Sequence, residues 1–279
     1  MTEMATITAS DVNKLRQQTG LGMMDCKSAL VEANGDFEKA VEILRKKGQK
    51  VAEKRSDREA SEGYVIAKTN SNQSEGIIMV LNCETDFVAK NDAFVDFANQ
   101  IADLALSSKA ANAEAVLALP LNDKNVGENI IEQIGKIGEK IEISDYAYIN
   151  AGSVVAYNHP GNKVASLVGL TAAGEVILDA GRDVAMQIAA MAPIAVDKDG
   201  VSKDIIEKEI EIGKEQARNE GKPEEILEKI ALGKLNKFYQ ERTLLNQEFI
   251  KDSKKTVKQY LQSVDNGLTV SAFKRISLQ

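Results

Sequence analysis

The chain has 279 residues, 43% hydrophobic and 28% charged, which is enough apolar content for an ordinary packed core and suits two or three modules. Its formal net charge of −7 argues against a general binder of phosphate backbones, and no apolar run is long enough to span a bilayer. The acidic start Met1-Thr2-Glu3 lacks the basic and then apolar pattern of a secretory leader, so the expectation is a cytoplasmic protein with neither nucleic acid nor membrane as a direct partner.

Residues from Thr8 to about Gly48 read as three short helices. Thr8 and Asp11 have capping-box spacing, Val12 and Leu15 share a face, and Gly20 is the expected stop. Residues 23–33 form the second helix, with Met24, Ala29 and Leu30 as candidates for its buried side. Asn34-Gly35 reads as a turn and Asp36 as a cap. Phe37, Ala40, Val41 and Leu44 make the third stripe, which Gly48 is expected to end. A unit this small resembles a ubiquitin-associated (UBA) domain. Residues 46–68 are highly charged, and their first half reads as a solvated linker. The first module and its linker are therefore placed at 1–55. Within the module, Leu21-Gly22-Met23-Met24 joins the first two helices. Its methionines either fill a small core or present a soft contact surface, since methionine adapts to both.

The remainder reads as an internal duplication. Gly63-Tyr64-Val65-Ile66-Ala67 is echoed by Gly152-Ser153-Val154-Val155-Ala156, and the apolar strand at 77–81 by another at 165–170. Gln100-Ile101-Ala102 is likewise echoed by Gln187-Ile188-Ala189, at an offset of roughly ninety residues throughout. Each half then covers the apolar face of a hairpin with a helix, which makes the fold class α+β. The halves are placed at 56–150 and 151–279. Between them, Ile130, Ile131, Ile134 and Ile137 mark a helix, and residues 141–149 alternate as a strand. The second hairpin turns at Asn158-His159-Pro160-Gly161-Asn162, where Pro-Gly suits the central positions of a type II turn and leaves His159 at its shoulder, solvated or facing a partner.

A helix at 183–192 ends at Pro193. Helices at 202–220 and from Pro223 to about Thr243 then form an antiparallel hairpin inserted at about 195–245. Ile205, Ile206, Ile210 and Ile212 are expected to face Ile226, Leu227, Ile230, Leu235 and Phe238. Ser253 to Val257 opens a last helix through Leu261 and Val264, and residues 268–276 alternate as a closing strand.

The most informative stretch is Asn82-Cys83-Glu84-Thr85-Asp86-Phe87-Val88-Ala89-Lys90-Asn91-Asp92. An apolar strand at 76–81 precedes it, and Phe94, Phe97, Ile101 and Leu104 follow at helical spacing, so it is a strand-to-helix turn. Thr85 or Asp86 is a candidate cap. Phe87 either folds under the turn or stands out as a wedge, and periodicity does not choose between them. Catalytic inventory is thin: there is no GxGxxG, Walker, HExxH or GxSxG sequence, and the chain has one histidine. With Cys26 and Cys83 as the only cysteines, no usual zinc set can be assembled, and both read as reduced packing residues. A carboxylate-only hydrolase stays formally open. A binding protein without a catalytic site or cofactor is the better reading.

Residues 80–90 closely resemble the central signature of the bacterial elongation factor Ts family. Residues 15–30, Leu-Arg-Gln-Gln-Thr-Gly-Leu-Gly-Met-Met-Asp-Cys-Lys-Ser-Ala-Leu, resemble a second signature of the same family. Val80 departs from the pattern, standing where many members carry an acidic or amide residue. The resemblance implies a UBA-like module, two related α+β subdomains and a projecting antiparallel helical hairpin that in some members helps build a homodimer. It also implies a guanine-nucleotide exchange factor with elongation factor Tu, GDP-bound or vacant, as its partner. Thr85, Asp86, Phe87 and Val88 would dislodge the partner's Mg²⁺, and Leu21, Gly22, Met23, Met24 and His159 would bind the partner. Several members continue into a C-terminal helical module, whose contact is expected to be absent or replaced here. The competing expectation is a non-exchange adaptor that docks proteins.

Overall fold

The computed structural model describes residues 7–278; the Met1-Thr2-Glu3 start and Gln279 lie outside the described residues. In chain order the elements are α1 (Ala9–Thr19), α2 (Met23–Glu32), α3 (Phe37–Arg55), β1 (Glu62–Thr69), β2 (Glu75–Cys83), α4 (Asp86–Ala89), α5 (Asp92–Ser108), α6 (Ala113–Ala118), β3 (Pro120–Leu121), β4 (Lys124–Asn125), α7 (Val126–Ile137), β5 (Glu142–Asn150), β6 (Ser153–Asn158), β7 (Val164–Leu170), α8 (Glu175–Met191), α9 (Lys203–Asn219), α10 (Glu224–Arg242), β8 (Glu248–Phe249), β9 (Asp252–Thr256), α11 (Val257–Val264) and β10 (Val270–Ser277). An N-terminal helical region thus precedes sheet-containing subdomains, an α+β architecture. No helix among the described residues is long and apolar enough to cross a membrane.

The chain divides into two compact units. The first holds the described residues up to Tyr64 with Met79–Tyr146 and Leu278; the second holds Val65–Ile78 and Ala147–Ser277. The division falls within β1, β2 and β5, whose sheet has the order β1-β2-β5.

In the first unit, the Thr8–Asp11 capping box opens α1, and Gly20 ends it in the left-handed conformation. Val12, Leu15, Cys26, Ala29, Leu30, Ala33, Ala40 and Leu44 make one small core. Met24 is not part of it. Cys26, Ala29, Leu30 and Ala33 recur three and four apart, and Met24 lies out of that phase. Gly48 does not end α3, which continues to Arg55, so the first part of the charged 46–68 stretch is helix rather than linker. A Cβ on Gly135 of α7 would come within 3.1 Å of Gly48 Cα, so the glycine pair marks where α3 and α7 cross closely. Helix propensity tolerates a mid-helix glycine at about 1 kcal/mol; the packing constraint falls on Gly135, since a Cβ on Gly48 would meet nothing nearer than 3.7 Å.

In the second unit, β6 and β10 flank β7 in an antiparallel sheet of order β10-β7-β6. Val155, Val168 and Leu170 of this sheet pack with Ile177, Val184 and Ile188 of α8 and with Leu245, Phe249, Val257 and Leu261. Three expectations need correction here. α8 begins at Glu175 rather than at residue 183. Ser253–Thr256 belongs to β9, paired with β8, and the last helix starts only at Val257 with Thr256 as its cap. The α9–α10 seam is Gly213, Ala217, Leu227, Ala231 and Leu235, not the full isoleucine stripe. A Cβ on Gly213 would lie 3.0 Å from Ala231 Cα, so small residues set the seam, and Ile205, Ile226 and Leu232 stay exposed.

Candidate functional site

The tip after β2 is a short strand-to-helix connection with its own single helical turn. Thr85 caps α4, its hydroxyl accepting from the Val88 N–H at 3.4 Å. The Lys90 N–H donates to the Asp86 carbonyl at 3.1 Å. Asn91 then caps α5, its side chain accepting from the Ala93 N–H at 3.0 Å. Of the three phenylalanines in this stretch, Phe94 and Phe97 are buried on α5, whereas Phe87 is 84% exposed. Leaving such a ring in water forgoes roughly 1.5–3 kcal/mol of burial. α4 buries Ala89 and presents Phe87 instead. The ring is therefore not folded under its own turn.

Asp86 precedes this ring, and its carboxylate is 2.6 Å from Lys90 Nζ. That partnership raises the lysine's pKa above its ordinary value through hydrogen bonding and then charge. Both side chains are well exposed, and surface pairs screened by water contribute little, so an incoming group can displace it cheaply.

The underside of the tip is heavily tied. Glu139 accepts from the N–H groups of Glu84 (3.1 Å) and Thr85 (3.0 Å) and from the Thr85 hydroxyl (2.7 Å). Glu84 accepts from Arg55 Nη1 at 2.9 and 3.1 Å and from the Lys140 N–H at 2.7 Å. Sequence reading missed Arg55, Glu84 and Glu139, because nothing in their spacing signals that these loops meet. Cys83 is buried beside them. Desolvation, with the negative charge of Glu139, pushes its thiol up to about 12, so it stays protonated and unreactive at neutral pH.

In the same unit, Gly22 precedes α2 in extended conformation, and Leu21 packs against the small helical core. Met23 and Met24 in the first turn of α2 are 55% and 70% exposed. Both methionines therefore lie on a surface.

His159 belongs to the second unit and is exposed. Its turn is closed by the Asn162 N–H donating to the His159 carbonyl at 3.0 Å, with Gly161 at φ 90°, as a Pro-Gly type II turn requires. The turn is firmly seated: Asn158 makes two hydrogen bonds to the Ala67 backbone, at 2.8 and 2.9 Å, like a strand partner. The His159 Nδ1 lies 3.0 Å from the Tyr157 hydroxyl.

Comparison with known proteins gives one consistent result. The family described as Elongation factor TS matches residues 84–279. The chain is 54% identical over 271 residues to elongation factor Ts of Amoebophilus asiaticus, covering 97% of this chain and 98% of the relative. It is 52% identical over 275 residues to that of Flavobacterium psychrophilum, covering 99% and 100%. It is 53% identical over 277 residues to that of Cytophaga hutchinsonii, again covering 99% and 100%.

Proposed function

The chain belongs to the elongation factor Ts family, and from its tip we infer guanine-nucleotide exchange on elongation factor Tu. The observation that carries this reading is Phe87, bare at the end of a braced turn when two neighbouring phenylalanines are buried. A GTPase holds GDP through backbone N–H groups around the phosphates and a Mg²⁺ bridging protein to phosphate. A factor that binds the vacant form better than the loaded one weakens GDP, and by linkage GDP weakens the factor equally.

Each residue has a role in this reading. Phe87 wedges into the partner and shifts the elements behind its metal site. Asp86, exchanging its exposed Lys90 partner, disturbs the Mg²⁺ shell, while Thr85 and Val88 hold the turn. Leu21, Gly22, Met23 and Met24 form the anchoring surface, which the exposure of the methionines supports. His159, on its seated turn, is a further point of attachment. The exposed Ile205, Ile226 and Leu232 of the hairpin support association with a second copy, which a monomeric mass in sedimentation equilibrium would refute.

The immobilised chain is expected to capture nucleotide-free elongation factor Tu and to release it when GDP is added. Retention indifferent to nucleotide would make it an adaptor and reject exchange.

A further inference from the structure

The two carboxylates beneath the tip hold each other's loops, and the exchange reading leaves them without a role. Glu139 follows Gly138, whose left-handed conformation (φ 80°) ends α7 and turns the chain toward the tip. Its carboxylate takes three hydrogen bonds from Glu84 and Thr85, and the Glu84 carboxylate takes one in return from the Lys140 N–H. Arg55, the last residue of α3, completes the arrangement by donating to both Glu84 oxygens. The Glu84 side chain is only 16% exposed, so these are sheltered bonds rather than surface pairs.

The tip needs such support. One helical turn does not persist alone, because nucleation fixes several residues for one hydrogen bond. α4 buries only Ala89, and the capping bond of Thr85 is long at 3.4 Å. The turn begins at Thr85, whose carbonyl accepts from the Ala89 N–H at 3.2 Å. Thr85 is also where Glu139 attaches, through amide and hydroxyl. The direction in which Phe87 projects is thus set from below.

We propose that Glu139 is the positioning residue of the Phe87 tip, and that the Arg55–Glu84 pair fastens the same tip to the end of α3. The proposal rests on the exchange reading. It adds that the wedge is pre-organised in the free chain, so that binding energy is not consumed in ordering it.

The test compares the wild-type chain, Glu139→Ala, Phe87→Ala and the double variant in release of fluorescent GDP from elongation factor Tu, with saturating rate separated from half-saturating concentration. Amide exchange over residues 84–90 of the free chain is measured alongside. Glu139→Ala is expected to raise exchange at the Thr85 and Ala89 amides and to lower the saturating rate about tenfold. Half-saturation should change less than about twofold, because the anchoring surface is untouched. In the Phe87→Ala background the same substitution should cause no further loss, since it acts through the ring. Where Glu139→Ala does not fold, Glu139→Gln takes its place. It keeps an acceptor without the charge, and a loss of about threefold is expected.

An unaltered rate, or full additivity in the double variant, overturns the role of Glu139 and leaves the exchange reading standing. A wild-type chain that does not accelerate release overturns both.

Discussion

Two strand-strand-helix segments, β1-β2 to α5 and β6-β7 to α8, carry the echoed sequence phrases and differ in the connection between second strand and helix. In one, residues 84–91 separate β2 from α5 and contain a capped turn with an exposed ring. In the other, residues 171–174 suffice between β7 and α8. The shared phrase also diverges: Gln100 is exposed, whereas Gln187 is fully buried. Gln187 donates to Gln247 Oε1 (3.1 Å) and the Glu248 carbonyl (3.0 Å) and accepts from the Ile250 N–H (2.9 Å). The repeated residues build a support. What one copy does beyond that comes from residues the other copy lacks, and the same glutamine has become structural only where a later segment folds over it.

The sharpest break of this comparison uses that glutamine. Gln187→Ala should destabilise the chain by about 2–3 kcal/mol in chemical denaturation, because it strands the buried Gln247 side-chain oxygen, the Glu248 carbonyl and the part-buried Ile250 N–H. Gln100→Ala should stay within about 0.5 kcal/mol, and equal effects would mean the two repeats use the phrase alike. At the tip, Phe87→Ala should leave the denaturation midpoint unchanged, since the ring packs on little of its own chain. GDP release should nevertheless slow by one to two decades, roughly 1.4–2.8 kcal/mol of barrier. An unchanged rate removes the wedge. Asp86→Ala should slow release about tenfold with Mg²⁺ present and much less after chelation; a loss independent of metal rejects its assignment. The smallest effect is expected for Met24→Ala. It should raise the half-saturating concentration a few-fold while sparing the saturating rate, which would separate the anchoring surface from the tip.

Local signals in the sequence were legible where the physics is local. The Thr8–Asp11 capping box, the Gly20 stop, the Asp36 cap and the Pro160-Gly161 turn all concern groups within a few residues of each other. Gly48 misled for the opposite reason. Glycine is a helix terminator by propensity, yet here it lies inside α3, and α7, far along the chain, crosses so closely that a Cβ on Gly135 would come within 3.1 Å of Gly48 Cα. The isoleucines of α9 and α10 misled similarly, since a seam of glycine and alanine brought the helices together and left part of the stripe exposed.

From the sequence alone came the α+β class, the repeat, the family signatures and the candidate tip, because periodicity, turn chemistry and motif order are properties of neighbouring residues. Whether Phe87 lies inside or outside, and that Glu139 and Arg55 converge on the residues before it, only the tertiary structure decided. Burial and long-range hydrogen bonds depend on which distant segments the folded chain brings together, and no local pattern carries that information.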